Sequence, residues 1–533
     1  MNRITSTILK CLLLPLLAFT PAKNASVKWG PEIDGKKTTI TGTLGIDDSG
    51  YYVYGLKRTG LLGADRTISK LNKSLNVVSV YEFEEKDKAT KRTFVYEGSC
   101  YFNEKILVFK STTVKGDKLR ELYVEEINKS SMTASGKLKK IAEYPYEKSF
   151  RRGSFNVKAT DRKVEAKDGK IVVTFQIPGA KKETEKIKAI VLDNELNPMW
   201  KKEIELPYEE GLYFTGSFRV DKYGNIYSLG KLYNEKVKSV IRGKQNYVFH
   251  LISYTNNGEN MIDTEIKLKD LFITDITYRV EDNGDIVTGG FYSKRKQMNS
   301  VDGAFYMVTD SKTKDVKATS VKEFDIDFIT QGMTEKQEEK AKKREEKGKD
   351  QELYEYDLDN LIMRDDGGAV LVGEQYYVVV STYTDAKGNR TTTYTYYYNN
   401  IIIINIDNAG KIEWAQTIPK RQVSSNDQGA YSSYALMVKD DKLHFIFNDN
   451  RQNLNPKKQG GYKNYSFRDK DGIVAIATVD RDGKITREAL IDAADIEVGV
   501  KPKVCDQIND NQMLIFGERK KKDQFAIVDF SDK

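Results

Sequence analysis

The feature that most constrains this chain is a strand motif that returns about eight times, roughly every 55 to 80 residues. Its most regular copies are Asp221-Lys-Tyr-Gly-Asn-Ile-Tyr-Ser-Leu-Gly230, Glu281-Asp-Asn-Gly-Asp-Ile-Val-Thr-Gly-Gly290 and Arg364-Asp-Asp-Gly-Gly-Ala-Val-Leu-Val-Gly373. In each, a polar turn with glycine feeds an alternating or apolar strand that ends in small residues. One such unit cannot bury its own apolar face, so neighbouring units must stack.

The units can be laid out by their second strands: Tyr51–Gly55, Lys105–Phe109, Lys170–Phe175, Asn225–Leu229, Asp285–Gly289, Ala369–Val372, Lys442–Phe447 and Gln512–Phe516. Third strands follow, such as Tyr247–Ser253 and Ile473–Val479. Tight turns such as Asp407–Gly410 and Asp480–Gly483 lead to fourth strands, Ile412–Ile418 and Lys484–Leu490. Four antiparallel strands per unit, repeated radially, predict an all-β fold of the β-propeller type. The last unit ends at Phe525–Phe530 without a fourth strand. Val27–Ile33, around Trp29, is similar to the fourth strands around Trp200 and Trp414. The N-terminal strand is therefore expected to complete the C-terminal blade and remove an exposed edge. That layout has eight blades, or seven if the weak first or second unit is misread. It makes 26–533 one propeller domain with insertions at about 325–355, 376–398 and 449–471. The repeats resemble the Asp-x-x-Gly-Asn-x-Tyr class of bacterial secreted β-propeller repeats, over about 480 residues at the level of pattern. The resemblance implies the fold and no single function, since propellers host enzymes, scaffolds and binders alike.

Composition agrees with sheet: tyrosine (32) outnumbers phenylalanine (22), so many aromatic rings keep a polar end. Near the start, Arg3 and Lys10 precede the apolar run Cys11–Thr20, which is too short to span a bilayer. Thr20 and Ala22 suit cleavage after Ala22, with Ala25 as second choice. Residues 1–22 are thus expected to be an export signal, placing the mature protein in the periplasm or outside the cell. Cys11 follows Lys10 and precedes most of the apolar run, which does not suit lipidation. No later segment has the length and apolarity of a spanning helix. The net charge of +8 is spread over interspersed Lys and Glu, without the basic cluster that nucleic-acid binding needs. Cys100 and Cys505 fall in the second and eighth units and are expected to be separate buried thiols.

Catalytic signatures are missing. His250 and His444 both sit within strand patterns, where packing is the ordinary role, and no Gly-x-Ser-x-Gly elbow occurs. Two histidines and two mature cysteines argue against zinc. Asp480-x-Asp482-Gly483 and Asp469-x-Asp471-Gly472 lack the remaining ligands of a calcium loop and read as turns. Gly410-Lys-Ile-Glu-Trp414 resembles a quinoprotein dehydrogenase repeat signature but occurs once. No catalytic residue, metal or cofactor is expected.

The long insertions fall between second and third strands or between blades, which share one face of a propeller. Thr334–Lys347 opens with a capping-box pattern, Thr334 with Gln337, and pairs Glu338 with Lys342 and Glu339 with Lys343 at helical spacing. It has almost no apolar face, so a solvated helix or loop is expected. Tyr376–Tyr383 and Thr391–Tyr398 flank a turn and read as two strands extended beyond the body, with Tyr394, Tyr396 and Tyr398 on one face. Asn448–Arg468 is polar, basic and aromatic. Tyrosine offers large contact area and a hydrogen-bonding tip at low entropic cost. The candidate binding residues are therefore Tyr376, Tyr383, Arg390, Tyr394, Tyr396, Tyr398, Tyr462, Tyr465 and Arg468. The expected function is a non-catalytic exported propeller that binds a protein partner in the bacterial cell envelope. Glycan binding by the same face is the alternative. A polysaccharide lyase or hydrolase using carboxylates in the central funnel is the third reading.

Overall fold

Alternating apolar residues and glycine-bearing turns fold into antiparallel hairpins along the chain. The computed structural model describes residues 25–34, 38–59, 63–87, 91–114, 116, 118–145, 155–160, 166–177, 184–209, 211–241, 244–294, 300–310, 312–347, 353–456, 461–465, 471–492, 499–519 and 522–531. The expected export segment 1–22 lies outside the described residues. Among the described residues the protein is all-β, with eight antiparallel sheets of four or five strands and two short two-stranded ribbons. In chain order the eight sheets occupy 38–82, 95–145, 155–209, 213–266, 272–323, 356–425, 435–492 and 499–529, and this arrangement is consistent with a propeller. The long strands pair with their long sequence neighbours within each sheet. In the eighth, Lys522–Asp529 pairs on one side with Gln512–Arg519 and on the other with Ser26–Asp34, Val27 lying opposite Val528.

The central strands are apolar on both sides because both sides are covered. Ile401 and Ile403 of the sixth sheet pack with Phe445 and Phe447 of the seventh. Ile402 and Ile404, one residue out of phase, pack with Phe291 and Tyr306 of the fifth. Period-two alternation thus survives inside an unbroken apolar run. Similar clusters join each sheet to the next, and another brings Leu514 and Phe516 of the eighth against Tyr51 and Val53 of the first.

Fourth-strand tryptophans clasp the following sheet. Trp200 donates from Nε1 to the Gly224 carbonyl (2.9 Å), and Trp414 to the Arg481 carbonyl (3.0 Å). Gly483 lies against the Trp414 ring with φ +81°, and a Cβ there would fall 2.9 Å from Cδ2. The Gly483→Ala variant is expected to lose about 1–2 kcal/mol from the left-handed backbone alone, and more from the ring. Urea unfolding checks this; an unchanged midpoint would remove the clasp. Trp29 does not follow the other two. It is half-buried in the cluster between the seventh and eighth sheets, whereas its counterparts reach the following sheet. The pairing register shifts between Trp29 and Glu32, and Gly30 occupies the approach to Leu75. Trp200 and Trp414 each follow a one-residue bulge, whereas the register is unbroken up to Trp29 and shifts only after it, so the likeness of the three segments fails for the ring.

Cys100 and Cys505 are free thiols, each pushed up to about 12 by burial. His250 packs with Nδ1 2.7 Å from the Tyr208 hydroxyl and 2.9 Å from Asp263 Oδ1. His444 lies against the Phe530 ring, where burial pulls it down to about 4. No helix among the described residues is long and apolar enough to cross a membrane.

Candidate functional site

Two strands of the sixth sheet do not stop where the body stops. Ala369–Thr384 and Arg390–Ile406 stay paired from Ala369↔Ile406 to Thr384↔Arg390, forming a ribbon beyond the sheet. Its tip reuses the turn chemistry of the repeats. Asp385 Oδ1 accepts from the backbone nitrogens of Lys387 (2.9 Å) and Asn389 (2.8 Å), and Gly388 takes φ +82°. Asp221 accepts in the same way from Tyr223 and Asn225 in the fourth sheet.

The tyrosine stripe is graded from base to tip. One ribbon face carries Tyr376, Val378 and Val380 opposite Tyr398, Tyr396 and Tyr394. At the base, the Tyr376 and Tyr398 rings lie 4.6 Å apart; on the other face Tyr377 and Tyr397 stack at 4.5 Å. Tyr398 is buried. The Lys503 ammonium sits 4.0 Å over its ring and donates to its hydroxyl at 2.6 Å. Tyr398 is thus a structural anchor, which corrects its expected place on the presented face. Toward the tip Val380 is 55% exposed, Tyr383 70% and Tyr394 45%, and Arg390 is exposed beside the turn. Gln422–Ser425 covers one ribbon edge by pairing with Thr395–Tyr398. Beyond Tyr376, the opposite edge has no partner strand among the described residues.

The other two insertions converge on this base. The helix α1 (Glu335–Glu345) forms with its capping box at Thr334 and Gln337, and Lys342 bridges Glu338 (2.9 Å) and Asp327 (3.0 Å). Its Ala341 is buried, so it is more docked than its charge pattern suggests. Thr334 lies against Gly461 of the third insertion. There, Tyr465 donates its backbone nitrogen to the Arg421 carbonyl (2.9 Å), and Asn453 exchanges hydrogen bonds with the Lys463 backbone. The Arg487 guanidinium covers the Tyr462 ring at 5.5 Å. Tyr462 and Tyr465 are therefore half-buried in the loop's own anchorage. The backbone polar groups of an irregular segment must find partners, and here they draw both rings inward. Arg468 lies outside the described residues.

Below the ribbon is a charged floor that the sequence did not announce. Glu374 and Lys420 are both buried and form an ion pair at 2.5 Å. Lys420 also donates to the Tyr398 carbonyl (3.2 Å) and Gln422 Oε1 (2.9 Å), and Ser433 donates to Glu374 Oε2 (2.7 Å). Burial pulls the Lys420 ammonium down, against the attraction of Glu374. Nearby, the Tyr434 hydroxyl donates to Asp359 Oδ2 at 2.6 Å. Water reaches Asp359, yet protein surrounds most of it; this desolvation, with Glu374 and Asp357 adding repulsion, lifts its carboxyl to about 7. Asp275 and Asp357 are raised by burial too. No spacing rule links Glu374, Lys420, Asp359 and Tyr434, because each of the four comes from a different strand or loop.

Asp359 makes a pH-dependent contribution to stability. Its folded pKa lies above the unfolded value near 3.9, so its stabilising effect is full below about pH 4 and is lost as pH rises through 7. The Asp359→Asn variant should show a smaller fall in melting temperature between pH 4.5 and 7.5. A residual slope of the same sign is expected from Asp523, also raised to about 7. Parallel curves for the two proteins would contradict the Asp359 environment.

A cavity of about 1370 Å³ opens on the opposite side, among the tight turns. The repeat's turn residues rim it, including Asp221, Glu281 and Arg364, so the most regular sequence signal marked a cavity that sequence reasoning did not select. Its arginines are partly committed to structure: Arg219 lies 4.7 Å over the Tyr278 ring and donates to the Tyr278 carbonyl, and Arg279 donates to the Leu361 carbonyl.

Ribbon, floor and cavity thus belong to an all-β protein of several four-stranded antiparallel sheets, consistent with a propeller. No protein-family model matches the chain, and no curated protein matches it. Among solved structures, a cobalt-substituted Synechocystis apocarotenoid oxygenase aligns at 8% identity over 87% of this chain and 89% of its own, TM-score 0.31. A Penicillium chrysogenum α-L-arabinanase complexed with arabinobiose aligns at 9% identity over 56% and 98%, TM-score 0.29. Prolyl oligopeptidase B from Galerina marginata aligns at 11% identity over 78% and 55%, TM-score 0.33. Likeness of this size assigns neither activity nor ligand.

Proposed function

We propose that this chain is an exported eight-bladed β-propeller that binds a protein partner of the bacterial cell envelope through the sixth-sheet ribbon, without catalysis of its own. Pairing of Ser26–Asp34 with Lys522–Asp529, and the apolar contact between the eighth and first sheets, support a closed ring over 26–533. The observation that carries the function is an apolar, exposed ribbon tip on an immobilised base. Exposing Val380 and Tyr394 on one ribbon face and Val379 and Tyr383 on the other contributes nothing to folding and supports a partner that grips the tip from both sides. The paired tyrosines and Lys503 hold that surface in shape before binding, which lowers the entropic cost of association. Tyr376, Tyr383, Arg390, Tyr394 and Tyr396 would meet the partner; Tyr398, Tyr462 and Tyr465 would hold the base.

Replacing residues 379–395 by Asn-Gly joins Val378 to Tyr396, which already face each other. This variant should keep its melting temperature and circular dichroism and lose the partner; retained binding would overturn the reading. The export segment predicts a mature N-terminus at Lys23, read by N-terminal sequencing of the released protein. A second reading has a specific observation behind it: the opposite cavity, with Tyr223, Tyr278 and Trp414 in its wall, suits a glycan. Calorimetric titration of the ribbon-shortened variant with envelope polysaccharide separates the two, because only the cavity reading predicts heat.

A further inference from the structure

A second cleft, independent of the ribbon, lies between the first and second sheets and encloses about 300 Å³, the small end of ligand-pocket sizes. A β-bulge creates it. Along Val95–Phe102 the pairing steps from Tyr96↔Lys110 to Gly98↔Phe109 and leaves Glu97 out. Glu97 turns toward the third sheet, accepting from Arg120 of its own sheet (2.7 Å) and from the backbone nitrogen of Phe155 of the third (3.1 Å). Gly98 is left facing the cleft, and a Cβ on it would meet nothing within 4 Å. Close packing normally fills such space.

The walls are the rings of Tyr54, Tyr81 and Tyr96. The Tyr96 hydroxyl donates to Ser99 Oγ at 2.7 Å, which fixes that ring. Thr67 also lines the cleft. It is 1% exposed, and its hydroxyl has no hydrogen-bond partner. A buried polar group left unpaired is costly, so this hydroxyl points to a ligand atom that pairs with it. Arg66 sits at the exposed side, its guanidinium 5.8 Å over the Tyr96 ring, and forms no ion pair among the described residues. Among the described residues no carboxylate lines the cleft: Glu84 and Glu125 act on Tyr81 without reaching the wall, and Glu125 is paired with Lys110 at 2.5 Å.

We propose that this cleft binds a single acidic sugar ring, a hexuronate unit. The C–H face of the ring lies on the tyrosines, its hydroxyls pair with Thr67 and Ser99, and its carboxylate meets Arg66. The volume admits one ring. The unpaired Thr67 selects a hydroxylated ligand over an apolar acid, and the unpaired Arg66 selects an acid over a neutral sugar.

Saturation-transfer NMR on the full chain tests this with methyl glucuronide, methyl glucoside and benzoate as probes. Transfer to methyl glucuronide, with methyl glucoside about tenfold weaker, is expected. Arg66→Gln should abolish that preference. Thr67→Val keeps the side-chain shape; it should weaken both sugars several-fold while leaving the melting temperature unchanged or higher, because an unpaired hydroxyl has been removed. Glucoside binding as tightly as glucuronide, benzoate binding best, no transfer to either sugar, or variants without effect would each overturn the proposal. None of these outcomes depends on the ribbon.

Discussion

Replacing Lys420 with methionine is expected to destabilise the protein by about 3–5 kcal/mol, the usual effect of stranding one charge of a buried pair. Glu374 would keep only Ser433 and face a dehydrated interior, and the Tyr398 carbonyl and Gln422 Oε1 would each lose a donor. The cost lies in the unpaired charge rather than in the pair's net worth. The double variant Lys420→Met with Glu374→Leu should therefore recover much of the loss, because an apolar pair of similar volume often matches a buried salt bridge. Urea unfolding of the two variants measures this. A single variant within about 1 kcal/mol of the parent, or a double variant worse than the single, would show that the floor is not closed to water as described. The floor also anchors the ribbon through Tyr398, so the single variant should loosen the ribbon base before the rest of the sheet.

The second large effect is expected from removing residues 25–34. Val27, Trp29 and Ile33 leave their partners on Lys522–Asp529 and in the flanking clusters. At roughly 1.5–3 kcal/mol for each apolar side chain fully buried, and these only partly so, the loss is on the order of 5 kcal/mol. The deletion also bares the edge of a strand containing Ala526, Ile527 and Val528, and an unpaired apolar edge invites another chain. Sedimentation velocity should show association, and thermal unfolding an earlier transition. Adding a peptide of residues 25–34 should reverse both. A deletion variant that is monomeric and equally stable would mean that this strand does not secure the eighth sheet.

Much of the secondary structure was legible from local signals. The fourth strand Ile412–Ile418 matches its expected span, and the capping box places α1 where the sequence pattern put it. The extended hairpin followed from two β-rich flanks and the Asp385–Asn389 turn, and the structure pairs them throughout. Side-chain direction was less legible. Tyr398, Tyr462 and Tyr465 look like Tyr383 and Tyr394 in sequence, yet Lys503 of the eighth sheet and Arg487 on the last strand of the seventh draw Tyr398 and Tyr462 inward. Trp29 shares the pattern of Trp200 and Trp414, but it lacks the bulge that precedes them, and its ring faces another way. The floor of Glu374, Lys420, Asp359 and Tyr434 was invisible because it assembles across strands and loops of two sheets with no common spacing. The uronate cleft was hidden for a similar reason: a one-residue bulge at Glu97 changes few residues in the pattern and redirects a whole wall.

The central claim is that the ribbon meets a protein partner. Its most direct test is site-specific photo-crosslinking in the producing cell, with a photoreactive side chain at Tyr383 on the ribbon and, separately, at Tyr223 in the opposite cavity wall. The account predicts one discrete protein adduct from position 383, lost when Val379→Asp is added on the same ribbon face, and none from position 223. An adduct from 223 alone, or a 383 adduct indifferent to that change, would contradict it.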